Sequence, residues 1–190
     1  MLIIIFGPPG CGKGTQSNLI AEKYALKHIS TGDLLRKEIE DETEFGKKVK
    51  SYIVEGLLVP DEIIIGMLMN GFEGAAANYK GVILDGFPRT IAQARALEEN
   101  LASRHKETTV LLDLQVDEDE LISRMLMRGN DTGRIDDELE TIRKRLQVYS
   151  EQTLPVKGYY KTTGKYYSVN GIGNVSDIFS TICSEMDKYT

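Results

Sequence analysis

Two cysteines among 190 residues are too few for a disulfide framework or a four-cysteine zinc site. Neither histidine stands in a metal-ligand pattern; His28 reads as packing and His105 as surface. Basic charge is also short. With 23 Lys and Arg against 29 Asp and Glu, the formal charge is −6, which argues against the broad positive surface that general nucleic-acid binding needs. No apolar run approaches the length of a membrane span, and the five-residue apolar start lacks the basic leader of a signal peptide. Cys11 and Cys183 therefore read as reduced thiols of a cytoplasmic protein. Repeats, low-complexity tracts and Pro/Ser-rich linkers are missing too, so the chain reads as one domain, long enough to bury a core.

What the chain does have is alternation. Strand-like apolar runs at Leu2–Phe6, Lys27–Ser30, Gly81–Asp85, Val110–Leu114 and Tyr166–Val169 are separated by helix-length segments. Those segments are Lys13–Tyr24, Thr31–Ile39, Asp61–Asn70, Ile91–Leu101, Glu118–Met127, Asp137–Tyr160 and Val175–Tyr189. The pattern predicts an α/β fold, a five-stranded parallel sheet with helices on both faces. Thr31, Asp61 and Thr90 are expected N-caps, and Asp117 with Glu120 has the form of a capping box. Pro155 should kink or break the long C-terminal helical stretch. Thr31 to Gly71 holds more helix than a minimal crossover needs, and Gly129–Gly133 reads as a flexible tip bracketed by Arg128 and Arg134. Insertions at the carboxyl edge of a parallel sheet are where substrates are held and covered, so these two regions read as a clamp and a lid.

The chemistry concentrates in Gly7-Pro8-Pro9-Gly10-Cys11-Gly12-Lys13-Gly14-Thr15, which leaves the first strand and opens the first helix. In that context glycines let backbone N–H groups converge on anionic oxygens, the helix end adds positive potential, and Lys13 supplies a charge for β- and γ-phosphates. Thr15 can offer a hydroxyl near phosphate or Mg²⁺, although Gly14 separates it from the lysine, where the general pattern has Ser or Thr directly next. A ligand-free turn and a dinucleotide-binding turn are the alternatives; in the second, Thr15 stands where the third glycine belongs. Cys11 reads either as a reactive thiol, beside a helix N-terminus and Lys13, or as a small residue tolerated between glycines. Asp85 closes a second buried strand where such proteins hold Mg²⁺, directly or through water, and Gly86-Phe87-Pro88-Arg89 then makes a rigid turn. Arg36, Arg89, Arg124, Arg128, Arg134 and Arg145 all fall beside elements expected to border the nucleotide, and guanidinium forks suit a transferring phosphoryl group. Arg95 and Arg143 read as ordinary surface residues, and Glu40–Glu44 as a solvated turn. Asp136 and Asp137 could orient the lid arginines or cap the helix beginning near Glu138.

Five motifs together resemble the adenylate kinase family: the glycine loop through Gln16, Ser30-Thr31-Gly32-Asp33-Leu34-Leu35-Arg36, Val59-Pro60-Asp61-Glu62, Asp85 through Thr90, and Thr132-Gly133-Arg134-Ile135-Asp136-Asp137. The resemblance implies a P-loop fold with an AMP-binding insertion over 30–59 and a short lid over 127–137. It implies reversible Mg²⁺-dependent transfer from ATP to AMP giving two ADP, by a cytoplasmic monomer without zinc. Gly10, Cys11, Gly12, Lys13, Gly14 and Thr15 would cradle the ATP phosphates, with Arg124, Arg128 and Gly173 as further ATP contacts. Thr31, Arg36, Leu57, Leu58, Val59, Gly86, Phe87, Pro88, Arg89 and Gln93 would hold AMP. Arg134 and Arg145 would reach both transferring groups, and Lys13, Arg89 and Arg128 would complete the catalytic set. Related uridylate–cytidylate kinases typically carry Ala and Asn where Thr31 and Thr90 stand, so these residues and Gln93 favour adenine. A switch-type GTPase would need an Asn-Lys-x-Asp motif, which does not occur. A silent nucleotide-binding module would be expected to lack Lys13 or several arginines, and all are present.

Overall fold

The computed structural model describes residues 1–73 and 78–189. Five strands, β1 (Leu2–Phe6), β2 (Leu26–Ser30), β3 (Gly81–Asp85), β4 (Val110–Gln115) and β5 (Tyr166–Asn170), form one sheet in the order β2-β3-β1-β4-β5. Every pairing is parallel, as the alternating pattern predicts. The central strand reads Leu-Ile-Ile-Ile-Phe because both its faces are covered. Ile4 and Phe6 pack in one core with Leu84, Leu97, Leu111 and Tyr160, while Ile3 and Ile5 pack in the other with Ile20, Leu112, Leu114 and Ile182. Each such aliphatic side chain contributes about 1.5–3 kcal/mol by leaving water.

The chain moves from β1 to the β2 edge, returns through β3, and then builds β4 and β5 on the other side. Strand order therefore reverses beside β1, and the crevice outside the carboxyl ends of β1 and β3 is where ligands bind in such sheets. Helices α1 (Lys13–Tyr24), α5 (Ile91–Ser103), α6 (Glu118–Thr132) and α9 (Val175–Met186) cover the sheet. Between β2 and β3 lie α2 (Thr31–Glu40), α3 (Glu44–Val54) and α4 (Asp61–Glu73), the surplus helices expected there. Gly46 lets α3 touch α2, since a Cβ at that position would sit 1.9 Å from the Glu38 carbonyl oxygen.

Several local expectations change. Ser30 caps α2 by accepting from the Asp33 N–H, while Thr31 is the first helical residue and turns its hydroxyl elsewhere. Asp61 opens α4, and its carboxylate accepts from the Thr90 hydroxyl and the Gln93 amide. Thr90 does cap α5, whereas Asp117 precedes α6 without a side-chain cap bond. The expected tip at Gly129–Gly133 is the last turn of α6, which ends at Gly133 with φ 64°. The long helical stretch divides into α7 (Leu139–Val148), a π-helical turn over Tyr149–Thr153, and α8 (Leu154–Thr162). Pro155 lies in the first turn of α8, where its missing N–H costs nothing.

Candidate active site

The glycine loop turns sharply between β1 and α1. Gly7 has φ 139° and lies against the Leu114 backbone, where a Cβ would sit 2.6 Å from the carbonyl oxygen. Gly12 has φ 93° and opens α1, a backbone region that side chains rarely adopt. Lys13 folds back over the loop and donates to the carbonyls of Gly7 at 2.7 Å and Pro8 at 2.8 Å. Cys11 is buried, and burial pushes its thiol up despite Lys13 nearby, so the reactive-thiol alternative does not hold.

Asp85 ends β3 next to the loop, with its Oδ2 3.7 Å from where a Gly14 Cβ would stand. His28, expected to serve only packing, brings Nε2 to 3.7 Å from this carboxylate, while Nδ1 meets Asn18 at 2.9 Å. The turn after β3 has a cis Phe87–Pro88 bond and a positive φ at Gly86. Its carbonyl at Gly86 accepts from the Thr31 hydroxyl at 2.9 Å and Arg89 Nε at 2.7 Å. Phe87 is buried in the core and Pro88 beside it, so neither side chain faces the crevice.

A cavity of about 650 Å³ opens over these elements. Gly10 through Thr15, Asp85, Gly86 and Gly173 line it together with all six arginines singled out in the sequence, Arg36, Arg89, Arg124, Arg128, Arg134 and Arg145. A second hollow of about 60 Å³ adjoins it, lined by Thr31, Arg36, Leu57, Leu58, Val59, Arg89, Gln93, Asp136 and Arg145. Gln93 meets protein at both ends of its amide, accepting from the Arg89 N–H at 2.7 Å and donating to Asp61 at 2.7 Å.

Carboxylates aim the guanidinium groups. Asp137 is buried and accepts Arg128 Nε at 2.7 Å, Arg128 Nη2 at 2.8 Å and Arg145 Nη1 at 2.8 Å. Asp136 lies 3.0 Å from Arg145. The helix that follows, α7, begins at Leu139 with Glu138 as its cap residue, and neither aspartate caps it. Asp33 pairs with Arg36 and stands 3.8 Å from Arg134, linking the α2 region to the segment after α6. Burial and then Arg145 pull the Arg89 guanidinium down to about 10, and burial with Arg36 and Arg128 lowers Arg134 as well. After burial, the neighbouring arginines add to the cost of charging each group.

At the other end, Arg124 donates to the Gly171 carbonyl at 3.1 Å and so borders the loop containing Gly173, whose φ is 121°. Several wall residues had no sequence expectation, among them Val148, Tyr149 and Thr153, at and within the π turn. Pro155 was the only sign of an irregularity there. Among the described residues, no group of three or more His, Cys, Asp or Glu side chains is placed to hold a metal, and no helix is long and apolar enough to cross a membrane.

The adenylate kinase family model matches residues 5–165. Curated relatives named adenylate kinase include one from Bacteroides thetaiotaomicron, 54% identical over 186 residues and 98% of each chain. Another, from Bacteroides fragilis, is 53% identical over 97% of each chain, and one from Flavobacterium psychrophilum is 47% identical over 93% of each. With a family match across most of its length and half its residues shared with these relatives, the chain belongs to the adenylate kinase family.

Proposed function

We propose that the 650 Å³ cavity is where this chain moves the terminal phosphoryl group of ATP onto AMP, reversibly giving two ADP. ATP:AMP phosphotransfer is the activity that its family membership establishes. The observation that carries the site assignment is the convergence of Lys13 and six arginines, from widely separated segments, on one cavity of an acidic protein. On this reading Gly10, Cys11, Gly12, Lys13, Gly14 and Thr15 hold the triphosphate, and Arg124, Arg128 and Gly173 flank the rest of ATP. Thr31, Arg36, Leu57, Leu58, Val59, Gly86 and Gln93 hold AMP, with Phe87 and Pro88 contributing the shape of the turn that delivers Arg89. Residues 30–59 act as the AMP-binding arm and 127–137 as the short lid.

The reaction needs no covalent nucleophile and no dedicated general base, because AMP already presents an anionic oxygen. Catalysis is then in-line positioning plus charge neutralisation. Lys13, Arg89, Arg128, Arg134 and Arg145 supply the neutralising donors, and Asp136 and Asp137 keep the lid's Arg128 and the nearby Arg145 turned inward. The Asp33–Arg134 approach supports a lid and arm that close on each other, which would exclude water as a competing acceptor. Mg²⁺ would supply further neutralisation on the ATP oxygens; Asp85 and Thr15 suit it, since this ion keeps most of its waters and needs few protein carboxylates. We expect a monomer, as the family resemblance implies, and buried reduced thiols at Cys11 and Cys183 suit the cytoplasm.

The test is ADP formation from Mg-ATP with AMP, UMP, CMP or GMP as acceptor, in parallel. A strong preference for AMP is expected. Preference for UMP or CMP would overturn the roles of Thr31 and Gln93, and no transfer to any acceptor would overturn the site.

A further inference from the structure

Gln16 lies in the first turns of α1 and is almost wholly buried, at 3% exposure. Its backbone N–H donates to the Gly12 carbonyl at 3.1 Å, closing the turn that presents the phosphate loop. Its side chain reaches in the opposite direction. Nε2 donates to the Val175 carbonyl at 3.0 Å, across 159 residues of sequence, while Oε1 is buried and accepts from no protein group. Donation to Val175 therefore sets the orientation of this amide.

Val175 opens α9 and immediately follows the loop containing Gly173. The near end of that loop is fixed twice: the Gly171 N–H donates to the Gln115 carbonyl at 2.8 Å, and the Gly171 carbonyl accepts from Arg124 at 3.1 Å. Those bonds tie it to β4 and α6. At the far end, Gln16 ties it to the helix that carries Lys13 and Thr15. We infer that Gln16 is a positioning residue for ATP, holding the phosphate loop and the nucleotide-base loop at a fixed separation.

The inference rests on the reading of the Gly173 loop as the place where the ATP base sits. It predicts a specific asymmetry. A ligand spanning both loops depends on Gln16, a ligand that uses the phosphate loop alone does not, and AMP does not.

The experiment compares ATP with inorganic tripolyphosphate, which has the phosphates and no base, as ligands of the full chain. Gln16→Leu keeps the bulk and removes the donor. It should raise KM for ATP about five- to tenfold, as loss of one positioned hydrogen bond does. KM for AMP and inhibition by tripolyphosphate should stay within about twofold. Gln16→Met, likewise uncharged and without a donor, should give the same split and serves if the leucine variant fails to fold. Equal weakening of ATP and tripolyphosphate, or no change in either, would overturn the inference. Arg124→Ala separates the two layers of the argument. If Arg124→Ala distinguishes ATP from tripolyphosphate and the Gln16 variants do not, the role of Gln16 fails alone. If none of the variants distinguishes them, the base-loop reading fails and the inference falls with it.

Discussion

Asp137→Asn isolates how much Arg128 and Arg145 depend on a single buried carboxylate. The substitution preserves shape and removes charge. In the native site Oδ2 serves Arg128 Nε, and Oδ1 serves both Arg128 Nη2 and Arg145 Nη1. Asparagine has one oxygen, so if that oxygen keeps the two Oδ1 bonds, its amide N–H faces the Arg128 Nε–H as donor against donor. Breaking a buried ion pair costs about 3–5 kcal/mol. Here Asp136 remains 3.0 Å from Arg145, and the arginines keep 31% and 18% exposure. The expected loss is therefore about 2–3 kcal/mol of stability at pH 7, read by urea unfolding. Because both guanidinium groups lose their orientation, kcat/KM should fall about 10- to 100-fold. Burial opposes ionisation of Asp137, but the hydrogen bonds and charge of Arg128, with Arg145, outweigh it and hold the carboxyl below its ordinary 3.8. Its contribution is thus complete above that value and disappears as pH falls through the lower, folded one. The stability gap between wild type and variant should close in that acid window. A gap under about 0.5 kcal/mol at pH 7, or one that persists unchanged at pH 2–3, would refute the reasoning.

Asp113 is buried in β4 and pairs with Lys157 at 2.7 Å and the Tyr166 hydroxyl at 2.7 Å, anchoring α8 just beyond the π turn. Lys157→Met should cost about 2–3 kcal/mol, while Asp113→Leu with Lys157→Met should recover most of it; a denaturant-based double-mutant cycle showing additive losses would contradict this. Burial works against the Lys157 charge, but its bonds to Asp113 and Tyr166 outweigh burial and raise it above 10.5, so its contribution should hold below that pH and fade as pH rises past the folded value. Gly46→Ala forces α2 and α3 apart, which should lower stability by about 1–3 kcal/mol and raise KM for AMP more than for ATP; an unperturbed melting temperature would count against the contact. Cys11, buried with a raised thiol, should react with a thiol-specific disulfide reagent at least about tenfold more slowly in the folded chain than in urea, and equal rates would show the loop to be open.

Most of the fold was legible because its signals are local. The strand-like runs match the five strands to within a residue. Strands β1, β3 and β4 are apolar along most of their length because both faces are covered, while the edge strands β2 and β5 carry polar residues at their more exposed positions. The glycine loop was legible because its positive-φ turns at Gly7, Gly10 and Gly12 strongly favour glycine. Capping was read less well. Thr31 and Asp61 have capping side chains, yet Gly86 and the Thr90–Gln93 pair compete for them from distant segments. The tip at Gly129–Gly133 was misread because two glycines in five residues discourage a helix only weakly, and α6 continues to the second of them.

Composition, periodicity and motif spacing by themselves determined a parallel α/β sheet, a phosphate loop after its first strand, and a set of arginines flanking its glycine-rich turns. Tertiary structure alone decided which groups face which. It set Asp137 between Arg128 and Arg145, brought Gln16 to Val175, put His28 beside Asp85, and placed a π turn in the wall of the cavity. The physical reason is range. Backbone preferences and burial patterns act within a few residues and leave marks in the sequence, whereas a hydrogen bond between residues 16 and 175 depends on where the whole sheet has carried them.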